Sequence, residues 1–210
     1  MLNSNTAAIR KITDPDAQKA LREWFADLSE RYSALGKQQF NGRAWRAEIK
    51  RMEPPYGAMM CEGYNTLRQR LTKYMTLCPI DEMALALFVS VAVHIKRDNP
   101  VAVSSKNDTQ KMSFAAQLGE KVNGTTPVLS SLRFERLQKA SEPTTFYQLL
   151  VRAVKVRGNH GVNVVSLADS IFLWMDEWLQ REEHRPENRH PFERNRIRWA
   201  SEYLSTASAK

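Results

Sequence analysis

Apolar residues recur along this chain at spacings of three and four, the period of helices that pack on one face. Leu21, Trp24, Phe25, Leu28, Tyr32 and Leu35 form the first such stripe. It predicts a helix from about Pro15 to Leu35, capped by Thr13 or Asp14, with Pro15 in its first turn and Gly36 at its end. A second helix is predicted over Arg43 to Met52. At 100° per residue, Trp45, Ile49 and Met52 fall between about 180° and 240°, and Arg43, Arg46 and Lys50 between about 300° and 360°. A basic ridge therefore stands beside an apolar seam, until Pro54 and Pro55 break the helix.

The third stripe is Met60, Tyr64, Leu67, Leu71 and Tyr74, with Arg68, Arg70 and Lys73 around it. Pro79 then opens an apolar helix through Ile95, with Asp81 and Glu82 at its positive end and His94, Lys96 and Arg97 closing it. Asp98 to Lys111 is polar and without periodicity, long enough to be a mobile or ligand-binding loop. Ser113 caps a short predicted helix, Phe114 to Val122, and further helices are expected over Leu129 to Ala140 and Pro143 to Arg157. Ser166 and Asp169 have the spacing of a capping box before Leu167, Ile171, Trp174, Trp178 and Leu179. A charged break from His184 to Pro191 precedes a last helix, Phe192 to Leu204.

One stretch fits two structures. Val154 to Val165 alternates around Gly158 and Gly161, as a β-hairpin would, and a hairpin after helices is the wing of a winged helix-turn-helix. A helix ending at Gly158 and followed by a loop is the preferred alternative.

With 210 residues, the chain fits one domain or two small subdomains sharing a core. Its 42% hydrophobic and 26% charged residues, with 8 Gly and 9 Pro, exclude disordered, collagenous and disulfide-framework classes. The apolar run Met83 to Val93 is shorter than the roughly 18 residues of a membrane span. No apolar leader occupies Met1 to Thr13, so a reducing cytoplasm is expected, with Cys61 and Cys78 as free, packed thiols.

Catalytic and metal chemistry find little support. His94, His160, His184 and His190 lack ligand spacing, and the two cysteines form no C-x-x-C pair. There is no serine elbow, Walker sequence or G-x-G-x-x-G. Asp176-Glu177 and Glu182-Glu183 read as a solvated helix face.

Charge changes the picture more. The 31 Lys and Arg exceed the 23 Asp and Glu, for a net charge of +8, which favours an anionic partner. Arg43 to Lys73 and Pro127 to His160 each carry +4, and the rest is neutral. If the fold unites those stretches, they make a surface that neutralises phosphates without reading bases. Five Trp and six Tyr are potential stacking platforms for unpaired bases, but Trp24, Trp45, Trp174, Trp178 and Trp199 lie on apolar stripes and read as core.

An ordered series of segments resembles the CasB family, the small subunit of the type I-E CRISPR Cascade surveillance complex. It comprises Trp24; Arg43 to Arg51, similar to the family's R-A-x-L-R-R run; Ser113 to Gly119; Leu132 to Leu137; Gly161 to Val164 leading into Leu167 to Trp174; and Ile197 to Tyr203. The resemblance spans roughly Leu21 to Leu204 and favours the loop over the hairpin. Lys50 stands where the motif has Arg, and the loop 98–111, the insert 181–191 and the N-terminal tail look longer than in the family.

The resemblance implies an all-α protein of about eight helices, as two small bundles over 14–125 and 126–206 packed as one compact unit. It implies a cytoplasmic, non-catalytic subunit for antiviral defence, with no cofactor, metal or membrane contact. Two copies would line the complex, touching each other, the backbone subunits that hold the guide RNA, and the large subunit. Their positive surface would hold target and non-target DNA strands and stabilise the R-loop, whose formation is nearly balanced and tipped by phosphate contacts. The residues implied are Arg46, Lys50 and Arg51 from the first motif, Arg133 and Arg136 from the central one, and Arg198 from the last. Arg194, one turn before Arg198, and Lys111 complete the set. Arg196 points nearer Trp199 and Tyr203, where a structural role and a phosphate contact stay equally open. The alternatives are a winged-helix transcriptional regulator and a helical adaptor whose basic surface meets an acidic protein.

Overall fold

A computed structural model describes residues 9–30, 41–103, 111–122 and 124–208. Among them nine α-helices form, and no strand. Asp14, rather than Thr13, caps α1 (Pro15–Asp27), its carboxylate accepting the N–H groups of Asp16 and Ala17. The helix is shorter than its stripe predicts, ending at Asp27 with Leu28 as cap. Tyr32, Leu35 and the expected stop at Gly36 lie outside the described residues.

Asn41 caps α2 (Gly42–Ile49) through Ala44 N. The third stripe is corrected at both ends. α3 spans Glu62–Leu71, so Met60, in the preceding 3-10 turn, is 75% exposed, and Tyr74, beyond the helix, also faces solvent. Cys61 is buried, whereas Cys78, at the head of α4 (Pro79–Ala92), is exposed, contrary to the expectation of two packed thiols.

α4 is apolar on all sides because it is enclosed, and α8 (Val164–Glu182) is its principal neighbour. α5 (Phe114–Gly119), capped by Ser113 as expected, packs on α9 (Asn195–Ala207). The approach is close enough to require glycine: a Cβ on Gly119 would stand 2.4 Å from the Tyr203 carbonyl oxygen. α6 (Ser131–Gln138) lies against α7 (Pro143–Arg157), and one hydrophobic core runs through α1, α4, α5, α7, α8 and α9, with Trp24, Phe88, Phe114, Phe146 and Trp199 among its largest members.

Gly158 decides the structure between α7 and α8. Its φ of +52° lies in the left-handed region open to glycine, and it ends the helix in a 3-10 turn, Gly158–His160. No hairpin forms, and Val162 instead makes an isolated bridge to Asp98. The expected capping box of α8 is also replaced. Asn163 caps the helix through Ser166 N, the Ser166 hydroxyl accepts Phe114 N, and Asp169 Oδ1 accepts the backbone N–H groups of Arg10, Lys11 and Ile12. A fully buried carboxylate thus pins residues 10–12 onto α8, and Lys11 adds a 2.9 Å ion pair to Asp176.

Both ends of the loop after α4 are strapped to this core. Asp98 accepts Val164 N, Gln117 bonds Asn99 O and Asn163 N, and Val101 bridges Lys111. Residues 104–110 lie outside the described residues.

Candidate nucleic-acid interface

The cap of α2, the segment after α4 and the last turn of α7 meet on one side of the molecule. Arg46 donates from Nη1 to Ile95 O at 3.1 Å, tying α2 to the end of α4. Lys96 donates to Asn159 Oδ1 at 2.9 Å, tying that end to the turn after α7. Helix C-termini carry partial negative charge, so cations collect there readily. Lys50 caps α2, and Lys155 lies in the last turn of α7.

The four basic groups of this junction act on one another. Burial and the charges of Arg46 and Lys155 hold the Lys50 ammonium below its usual pKa. Burial, then Lys155, Lys50 and Arg46, push His94 down to about 4, so its imidazole is neutral near pH 7. No carboxylate is among the charges moving either group. Gathering like charges without a counter-charge among the described residues is unfavourable, and groups perturbed in this way are candidates for a functional site.

Arg46 plays a different part from its neighbours. Its guanidinium lies 5.9 Å over the Phe25 ring, half-buried, and burial lowers its pKa. Nε and Nη2 are shielded from solvent without a hydrogen-bond partner among the described residues. Arg46 therefore sets the local potential from behind, while Lys50 and Lys155 present exposed ammonium groups in front.

The other sequence-derived candidates separate. Arg51 is exposed one residue beyond Lys50, and Lys111 is exposed at the end of its loop. Arg133 and Arg136 are exposed on α6, outside the set of charges acting on Lys50 and His94. Arg194 is engaged within the protein, pairing with Glu187 and donating from Nε to Asn188 O at 2.9 Å.

Arg198 is a correction. It is 8% exposed and donates to Ser170 Oγ and Asn195 Oδ1, both at 3.0 Å, with Asp169 at 3.6 Å. It does not share an exposed face with Arg194, and Arg196, which the sequence leaves open between a structural and a binding role, is the exposed residue. The buried face of α9 runs through Asn195, Arg198, Trp199 and Tyr203, which places Arg198 inward.

Sequence reasoning missed Lys155, His94 and Lys96 as members of one site. Lys155 belongs to the second basic stretch and Lys50 to the first, so the two do meet, but no local motif announces it. Among the described residues, no three His, Cys, Asp or Glu side chains gather as a metal site, and no helix is long and apolar enough to cross a membrane.

The helices and the basic junction between them define a small all-α protein with basic residues gathered where α2, the segment after α4 and α7 meet. The model of the family CRISPR-associated protein Cse2 matches residues 45–204, more than half of the chain, and the chain belongs to that family. Cse2 is the small subunit of type I-E Cascade, also called CasB, which makes this a CRISPR protein of that complex and of a structural rather than an enzyme family. No curated protein and no solved structure matches the chain.

Proposed function

We propose that this subunit holds DNA strands by their phosphates, without reading sequence, and thereby stabilises the R-loop of the Cascade complex. One observation carries the proposal: Lys50, His94 and Lys155, backed by Arg46, gather where α2, the segment after α4 and the end of α7 are tied together by Arg46 on Ile95 O and Lys96 on Asn159, and no carboxylate is among the charges acting on Lys50 or His94. A phosphate supplies the missing counter-charge, and strand exchange is so nearly balanced that a few such contacts tip it. Arg51, Arg133, Arg136 and Lys111 are exposed and extend the positive surface. Arg194 is occupied by Glu187, and Arg198 serves the core.

The subunit acts without catalysis, in the cytoplasm, in contact with the backbone subunits around the guide RNA, the large subunit and a second copy of itself. A winged-helix regulator is disfavoured, because the segment that would form its wing is a helix end, a 3-10 turn and a helix start.

The test is charge reversal in the assembled complex. Lys50→Glu combined with Lys155→Glu should abolish or strongly reduce R-loop formation, read by chemical reactivity of the displaced strand, while helicity and incorporation are unchanged. Full R-loop formation by that variant would refute the assignment.

A further inference from the structure

A second feature lies at the opposite end of α7. Between α6, α8 and α9 is a cleft of about 480 Å³, walled by Phe146, Trp174 and Trp199 and by the insert that precedes α9. Phe146 and Trp174 stack at 4.0 Å and 8°, and the Arg181 guanidinium lies 5.7 Å from the centre of the Trp174 ring. Both rings are buried, but Arg181 is exposed, so the flat group that this stack offers to the outside is a guanidinium.

The rim carries more cations than carboxylates, and most of them are paired. Lys139 pairs with Glu135 and Arg185 with Glu183, which leaves Arg181 and Arg196 lining the cleft without an ion pair among the described residues, and the two carboxylates of the lining are already engaged. Glu177 accepts Asn195 N at 2.6 Å, and Glu187 pairs with Arg194. An aromatic wall, a planar cationic platform and a positive rim match a planar group attached to an anion, which describes a nucleotide of a single strand.

Position adds a second argument. Ser141, in the cleft wall, stands two residues before α7, and Lys155 lies near its other end. At 1.5 Å per residue, these two stand about 20 Å apart along the helix, a length that about six stacked nucleotides cover at 3.4 Å each. Gln148, Arg152 and Lys155 are exposed and, at spacings of four and three, share one side of α7 between the two sites.

We infer that the cleft receives an unpaired base of the strand whose phosphates are held at Lys50 and Lys155, with the base stacking on Arg181. The inference rests on the phosphate-holding function and adds a base contact to it. Every base has a π-face, so the contact strengthens binding to single strands over duplex while remaining indifferent to sequence.

The experiment compares a thymine oligonucleotide with the same backbone carrying consecutive abasic sites, both binding the full chain at low salt. Arg181→Lys keeps the charge and removes the planar group. The wild-type protein should bind the intact strand about fivefold or more tightly than the abasic one. Arg181→Lys should erase that ratio while leaving the abasic affinity and the helicity unchanged. Equal binding of both strands by the wild-type protein would overturn the base site and leave the phosphate surface standing. A ratio that persists in Arg181→Lys would place base contact elsewhere and overturn the assignment to this cleft. Failure to bind either strand would count against the phosphate-holding function and the base site together.

Discussion

Lys155 and Arg157 are two residues apart in the last turn of α7, yet their surroundings are opposite. Arg157 is fully buried, donating to Gly161 O, Gln117 O and Glu120 Oε2, the last at 2.6 Å. Lys155 is exposed beside Lys50, His94 and Arg46, with no carboxylate among the charges acting on its neighbours. Burial likewise separates Arg198, enclosed by Asp169, Ser170 and Asn195, from exposed Arg196. A basic residue whose charge is answered inside the protein holds the fold together, and one whose charge is left unanswered is available to an outside anion. Net charge does not distinguish them, but their partners do.

Breaking the enclosed side should have the largest effect. Arg157→Leu leaves Glu120 buried without its cation, which should destabilise the protein by about 3–5 kcal/mol in denaturant unfolding. Asp169→Ala removes the acceptor for three backbone N–H groups and should lower stability by about 2–3 kcal/mol. It should also release residues 10–12, seen as faster amide exchange at Arg10, Lys11 and Ile12.

His94 connects stability to pH on the open side, with a smaller effect. Its pKa falls from 6.5 to about 4 on folding, so between those values the unfolded chain binds more protons than the folded one. Stability therefore rises with pH through this window and is lost as pH falls from about 6.5 towards 4. His94→Gln should flatten that part of the stability profile measured by urea unfolding. A phosphate bound at the junction would favour protonated His94, so strand affinity at fixed salt should rise on acidification to pH 5 and lose that rise in His94→Gln.

Much of the fold was legible wherever a local rule operates alone. α7 runs from Pro143 to Arg157 as expected because Pro presets its first turn and Gly158 takes a positive φ after its last. Ser113 and Asp14 cap because each places a side-chain oxygen on the free N–H groups that follow. Local rules failed where a distant element claimed the same atoms. Ser166 and Asp169 have capping-box spacing, but Phe114 takes the hydroxyl and residues 10–12 take the carboxylate, so Asn163 becomes the cap.

The site divides in the same way. The basic ridge of α2 could be read from its angles, and Lys50 does lie on the open surface. The sequence reads Arg198 as a binding residue and leaves Arg196 open, because both stand within a helical turn of Trp199 and only the packing of α9 against Asp169 and Ser170 chooses between them. Lys155 and His94 join Lys50 from 105 and 44 positions away in the numbering, through the meeting of three helix ends, and their residue types alone carry no sign of it.

The contrast between answered and unanswered charge is tested most directly by following unfolding temperature and the salt dependence of single-strand binding together. Two proteins are compared with wild type: Arg198→Gln, and Lys50→Gln combined with Lys155→Gln. Arg198→Gln should lower the unfolding temperature and leave the slope of log K against log salt unchanged. The double variant should keep its unfolding temperature and lose about 1.4 from that slope, about 0.7 for each phosphate contact. An unchanged slope in the double variant, or a loss of slope in Arg198→Gln without any loss of stability, would contradict the account.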